Sequence, residues 1–200
     1  MKRVLALMAA ICVLAISGCS TGGGNSSGQT ADAGSGGGVN VQEKEDNIVE
    51  ISIPLSLMME ETTPELSQEE KDNGFLTKEV TDEAIKYTIK KSKYDAFIKE
   101  LQKTTADSIH EVLTDGTYQS IQEVKHTDDF GEITILVDKA TYDNNFAEKL
   151  MPLGPGLAGC MYQAFALNTE IKCIVIIQDK DSGAEITRVI YPDVLNASSK

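Results

Sequence analysis

The chain has 200 residues and a formal net charge of −13, from 18 Lys and Arg against 31 Asp and Glu. A chain this acidic repels nucleic acid and anionic lipid headgroups, which excludes binding to either through charge. With 41% hydrophobic residues it has enough apolar surface for one packed domain, and its four cysteines include no CxxC pair and no zinc-site spacing.

Lys2 and Arg3 precede an apolar run over residues 4–16, which is the length of a signal-peptide core and shorter than the ~20 residues that span a bilayer. Ile16, Ser17, Gly18 and Cys19 follow in an order that resembles the lipobox of bacterial lipoproteins. The resemblance implies that residues 1–18 are a signal peptide and that Cys19 is the lipid-attachment residue, its sulfur carrying a diacylglyceryl group. At about 0.8 kcal/mol per buried methylene, two acyl chains anchor a protein stably where one does not. Residues 20–38 are Gly, Ser, Thr, Asn, Gln, Ala and Asp, too poor in apolar surface to offset ordering entropy. Residues 19–46 therefore read as a lipidated cysteine and a flexible linker, with an r.m.s. reach of roughly 25 Å for about 20 residues. Loss of Lys2 and Arg3 with the signal moves the formal charge from −13 to −15. The acyl chains must then supply the membrane affinity, and the expected place is extracytoplasmic, lipid-anchored in the cell membrane.

Residues 47–196 form the expected single domain, with residues 197–200 as a tail. In "NIVEISIP", Val49, Ile51 and Ile53 alternate with Glu50 and Ser52, and Pro54 closes the strand. "TTPELSQEEKDNG" predicts a short solvated helix that opens at Thr63-Pro64 and ends at Gly74. "FLTKEV" and "AIKYTIK" predict a hairpin around residues 81–83, although "TDEA" lacks a turn glycine. From residue 92 to about 114, Tyr94, Phe97, Ile98, Leu101, Thr105, Ile109, Val112 and Leu113 recur at helical spacing. A second hairpin turns near residues 128–131, with Ile133, Ile135 and Val137 on its inner face. "FAEKLMPLGPGLAGCMYQAFAL" predicts a helix broken around residues 152–156, with residues 157–167 in the core. "EIKCIVIIQ" and "AEITRVIYP" predict a third hairpin across residues 179–183. The class is α+β: an antiparallel sheet of about seven strands, helices mainly on one face, and a helix-hairpin unit repeated three times.

Cys12 leaves with the signal, so Cys160 and Cys173 are the thiols of the domain. An exported domain permits their pairing, and their apolar surroundings equally suit two free buried thiols. "ISIPLSLMMEE", "YTIKKSKYDAFIKEL", "HTDDFGEITILVD", "MYQAF" and "SGAEI" together resemble a family of uncharacterised lipoproteins of Gram-positive bacteria, over residues 48–192. That resemblance implies one exported α+β domain and no particular activity.

"GPGLAG", residues 154–159, has the G-x-G-x-x-G form, with Asp179 about twenty residues on. The fingerprint needs a buried strand before its first glycine, and the polar "NNFAEKLMP" is not one. The glycines are better explained by close helix-sheet approach. "GNSSG", in the linker, has the G-x-S-x-G form without the strand-turn-helix that would strain its serine. His110 reads as a structural residue near the edge of the long helix's apolar face. His126, Asp128 and Asp129 at one turn, and Asp179, Asp181 and Glu185 at another, are residue types that turns favour, and the latter departs from EF-hand spacing. Met161, Tyr162 and Phe165 read as packing on the sheet. No catalytic, cofactor or metal residues are assigned. The function expected is a non-catalytic binding or accessory module of the cell envelope with a protein, peptide or glycan partner. The alternatives are an envelope hydrolase with an unrecognised acid-base pair and a metal- or peptide-sensing accessory domain.

Overall fold

The computed structural model describes residues 47–58 and 62–197; residues 1–46, on which the expected signal peptide, lipidated Cys19 and linker fall, residues 59–61 and residues 198–200 lie outside the described residues. The seven strands expected are present, but in two sheets rather than one. β1 (Ile48–Pro54), β2 (Phe75–Val80) and β3 (Ala84–Lys90) form the first, in the order β1-β3-β2 and all antiparallel. β4 (Ile121–His126), β5 (Glu132–Val137), β6 (Cys173–Asp179) and β7 (Glu185–Tyr191) form the second, in that order. The expectation of a purely antiparallel sheet is also corrected, because β5 and β6 pair in parallel from Glu132↔Ile174 to Val137↔Asp179. A parallel pair needs a long crossover, and the 35 residues between them supply it.

Among the described residues five α-helices accompany the sheets: α1 (Gln68–Asp72), α2 (Lys91–Thr114), α3 (Lys139–Asn144), α4 (Leu153–Phe165) and α5 (Asp193–Ala197). Each hairpin does follow a helix, but the second and third share a sheet while the first joins β1 in the other. α1 opens later than Thr63-Pro64, at a Ser67 N-cap. The Ser67 hydroxyl accepts from the Glu70 amide at 3.1 Å and the Glu70 carboxylate accepts from the Ser67 amide at 2.6 Å, a reciprocal capping box. The hairpin without glycine turns on Thr81, whose hydroxyl accepts from the Ala84 amide at 3.0 Å and donates to the Ala84 carbonyl at 2.8 Å.

α4 joins the two sheets. It touches β1 in one and β6 and β7 in the other, so one helix serves both sheets where helices on one face of a single sheet were expected. It begins at Leu153 instead of breaking there, because Pro155 falls in its first turn, where a missing amide costs no helical hydrogen bond. Every residue from Pro155 to Phe165 is buried, and Leu167, 45% exposed, lies beyond the helix at φ +60°. A single hydrophobic core results. It contains Ile51, Ile85 and Ile89 of the first sheet with Ile133, Ile135, Val175 and Ile177 of the second. Burial of each such side chain contributes about 1.5–3 kcal/mol. Among the described residues no helix is long and apolar enough to cross a membrane.

Candidate functional site

Strand alternation decides which side chains the first sheet presents. Ile85, Tyr87 and Ile89 of β3 are buried inward with Ile51 and Ile53 of β1, which leaves Glu50, Ser52, Lys86 and Thr88 on the opposite, open face. β2 adds Thr77 opposite Thr88 and Glu79 opposite Lys86. These six residues line a shallow groove of about 470 Å³. The Thr77 and Thr88 hydroxyls are hydrogen-bonded across the strands at 2.7 Å, so one donor proton and free lone pairs remain in the groove. Lys86 forms no ion pair among the described residues, although Glu79 is its cross-strand neighbour. The groove thus offers a free ammonium between two carboxylates and three hydroxyls, a set suited to hydrogen-bonding a polar ligand. It holds no histidine or cysteine.

An aromatic cluster forms the floor of the sheet. Phe75 packs on Tyr87 and on Phe97 at centroid distances of 5.1 Å, and Phe165 of α4 closes the cluster at 5.5 Å from Phe97. Behind the sheet, the Tyr87 hydroxyl donates to Glu70 at 2.7 Å and Lys78 Nζ donates to the same oxygen at 3.0 Å. Burial alone would raise the Glu70 carboxyl, but the Ser67 amide, the Tyr87 hydroxyl and Lys78 together hold it below its ordinary value.

The clusters noted in the sequence resolve into turns. Asp129 accepts from the Gly131 amide at 3.0 Å and the Thr127 hydroxyl at 2.7 Å, and these bonds lower its carboxyl below the usual range. The His126 ring packs on Phe130 at 4.8 Å with Nδ1 2.9 Å from the Thr127 carbonyl, while Asp128 contributes its carbonyl to Gln102. Asp179 accepts from Ser182 at 2.5 Å, and Glu185 pairs with Arg188 at 2.7 Å, so Asp179, Asp181 and Glu185 do not converge. No three His, Cys, Asp or Glu among the described residues come together to hold a metal ion. His110 is exposed on α2. The residues before Gly154 form a 3-10 turn, Phe146–Leu150, instead of the strand a dinucleotide fingerprint requires. Within α4, Gly156 faces the Tyr191 ring and Gly159 faces Cys173 Sγ and the Phe130 carbonyl, which is the close helix-sheet approach expected of these glycines. Met161, Tyr162 and Phe165 are buried, with Tyr162 edge-on to Phe130 at 4.9 Å.

Two features were not read from the sequence. Glu148 is fully buried, accepting from the amides of Gln119 at 3.0 Å and Ser120 at 3.2 Å, from the Ser120 hydroxyl, and from the Asn145 side chain at 3.4 Å. Its neighbour Phe146 is 81% exposed. Hydropathy predicts the reverse of both, and no sequence signal marks the exchange. The thiols of Cys160 and Cys173 are free and buried. Comparison of the chain with known protein families, with curated proteins and with solved structures finds no match.

Proposed function

We propose that the chain is a lipoprotein anchored through Cys19 to the extracytoplasmic face of the cell membrane, and that its α+β domain is a non-catalytic binding module of the cell envelope. The anchor rests on the order Ile16-Ser17-Gly18-Cys19 behind a signal-length apolar run. The binding role rests on one observation, the groove over β1-β3-β2 with its unpaired Lys86 among hydroxyls and carboxylates. A hydrolytic role would require a base set against one of the groove's hydroxyls, and the hydroxyl hydrogen bond across the groove runs instead between Thr77 and Thr88; a free ammonium among hydroxyls and carboxylates suits recognition of a polar partner.

Two measurements test the reading. The intact mass of the membrane-extracted protein is expected to match a chain beginning at a diacylated Cys19, and Cys19→Ala is expected to move the protein into the aqueous phase. Retention of lipid by that variant would remove the anchor. For the domain, Lys86→Ala, on an exposed face where folding is unaffected, is expected to abolish retention on peptide and glycan arrays seen with the parent chain. Unchanged retention would place the binding surface elsewhere.

A further inference from the structure

A sheet edge carries a row of unpaired amides and carbonyls, and folded proteins blunt such edges with bulges, prolines and charges. The two sheets have four edge strands: β1, β2, β4 and β7. Three are bulged, with register shifts between Phe75 and Thr77, between Ile121 and Glu123, and in the β6–β7 pair between Ile177 and Gln178. β1 alone keeps an unbroken register over seven residues, from Ile48↔Lys90 to Pro54↔Ala84. Its one proline is the last residue of the strand, so Ile48 to Ile53 keep their amides. Among the described residues, none of its backbone groups bonds on the side away from β3. It also packs inward on α4 and α2, which back it as a template.

We infer that the outer edge of β1 is a docking strand for an extended, basic peptide that adds to the first sheet as a fourth strand. This deepens the binding-module reading and rests on it, with the occupant held by the edge beside the groove and by Glu50, which the edge and the groove share. Charge selects the occupant. Glu50 is the one charged side chain of β1 and stands next to an added strand, while Lys86 and Lys90 on the same face lie one strand further in, on β3; Ile48, 52% exposed, offers an apolar contact on that face. Residues of an added strand alternate in the same way as those of β1. One set lies beside Ile48, Glu50 and Ser52 and is best filled by lysine or arginine near Glu50. The other lies beside Val49, Ile51 and Ile53 and is best filled by aliphatic side chains. A second copy of the chain fits less well, since an antiparallel β1–β1 pairing centred on Glu50 would oppose two like charges.

The test uses the purified chain and an eight-residue peptide alternating lysine with valine. Saturable binding is expected, with slowed amide exchange confined to β1. N-methylation of alternate peptide amides, which removes edge hydrogen bonds and keeps the charge, is expected to abolish it. Glu50→Lys is expected to weaken binding about fivefold or more and to favour the glutamate-valine counterpart. Equal binding of the N-methylated peptide, protection at β2, β4 or β7, or no binding overturns the inference. Protection of β1 by self-association without peptide overturns it too, assigning the edge to a second copy. The N-methylated peptide separates the two readings: a ligand held by the groove's side chains keeps its affinity when its backbone amides are methylated, whereas a strand docked on the edge of β1 loses it.

Discussion

Gly156 of α4 lies so close to Tyr191 of β7 that a β-carbon at residue 156 would stand 2.2 Å from the ring. Tyr191 is 3% exposed, so its ring is enclosed by the core. Alanine ordinarily stabilises a helix over glycine by about 1 kcal/mol. Overpacking a closed core costs about 1–3 kcal/mol, and at this separation the cost dominates. Gly156→Ala is therefore expected to lower the urea midpoint, with a net loss of about 1–2 kcal/mol, and Gly156→Val to lower it further. A midpoint equal to or above that of the parent would mean that α4 does not sit against β7 as described.

Elements whose pattern is local were legible. Ile133, Ile135 and Val137 alternate and are all fully buried, and the helical spacing of Leu101, Thr105, Ile109 and Leu113 marks the buried stripe of α2. The open face of β3 followed from Lys86 and Thr88 alternating with Ile85 and Tyr87. The groove itself did not, because it exists only where β1 lies beside β3, a pairing across 30 or more residues that no local period encodes. The parallel β5–β6 pair was hidden for the same reason. Ser67 and Glu70 carried a readable capping box, but Thr63-Pro64 competed as a helix start and lost. At Phe146 and Glu148, satisfying the free amides of Gln119 and Ser120 outweighed hydropathy.

Glu148 is expected to be the costliest single carboxylate to remove. Glu148→Ala leaves two amides and a hydroxyl buried without acceptors and is expected to destabilise the fold by about 2–4 kcal/mol. Glu148→Gln is expected to cost less, since its carbonyl oxygen can still accept from both amides while the Ser120 hydroxyl turns to accept from the new amino group. Chemical denaturation of the two variants checks the order. Equal losses would show that charge, not acceptor geometry, holds the segment.

Glu70 gives the fold an acid-side dependence. Its carboxyl is held below an ordinary value near 4.5, so its contribution is complete above that value and is lost as the pH falls through and below it. Glu70→Gln is expected to keep the contacts of α1 while flattening the decline of stability from about pH 5 downward. Thermal melts of parent and variant across that range are the measurement. Parallel curves would assign the acid limb to other groups.

Cys160 and Cys173 make α4 its own reporter. Burial pushes the Cys160 thiol up to about 11, against a hydrogen bond from the Cys173 backbone, and burial raises the Cys173 thiol further still. Both side chains are 0% exposed, so neither access nor ionisation favours attack on a reagent. In the folded, reduced chain neither is expected to react with a bulky maleimide until denaturant is added, and both should then label together, because α4 and β6 share one core. The raised values also set an alkaline limb. The contribution of Cys160 is complete below its unfolded value near 9 and is lost as the pH rises towards 11, since only the unfolded chain releases the proton readily over that interval. Cys160→Ala is expected to flatten that limb while costing some packing at neutral pH. Rapid native labelling at Cys160, with Cys173 still protected, would mean that α4 faces solvent and that the two sheets do not share the helix that joins them.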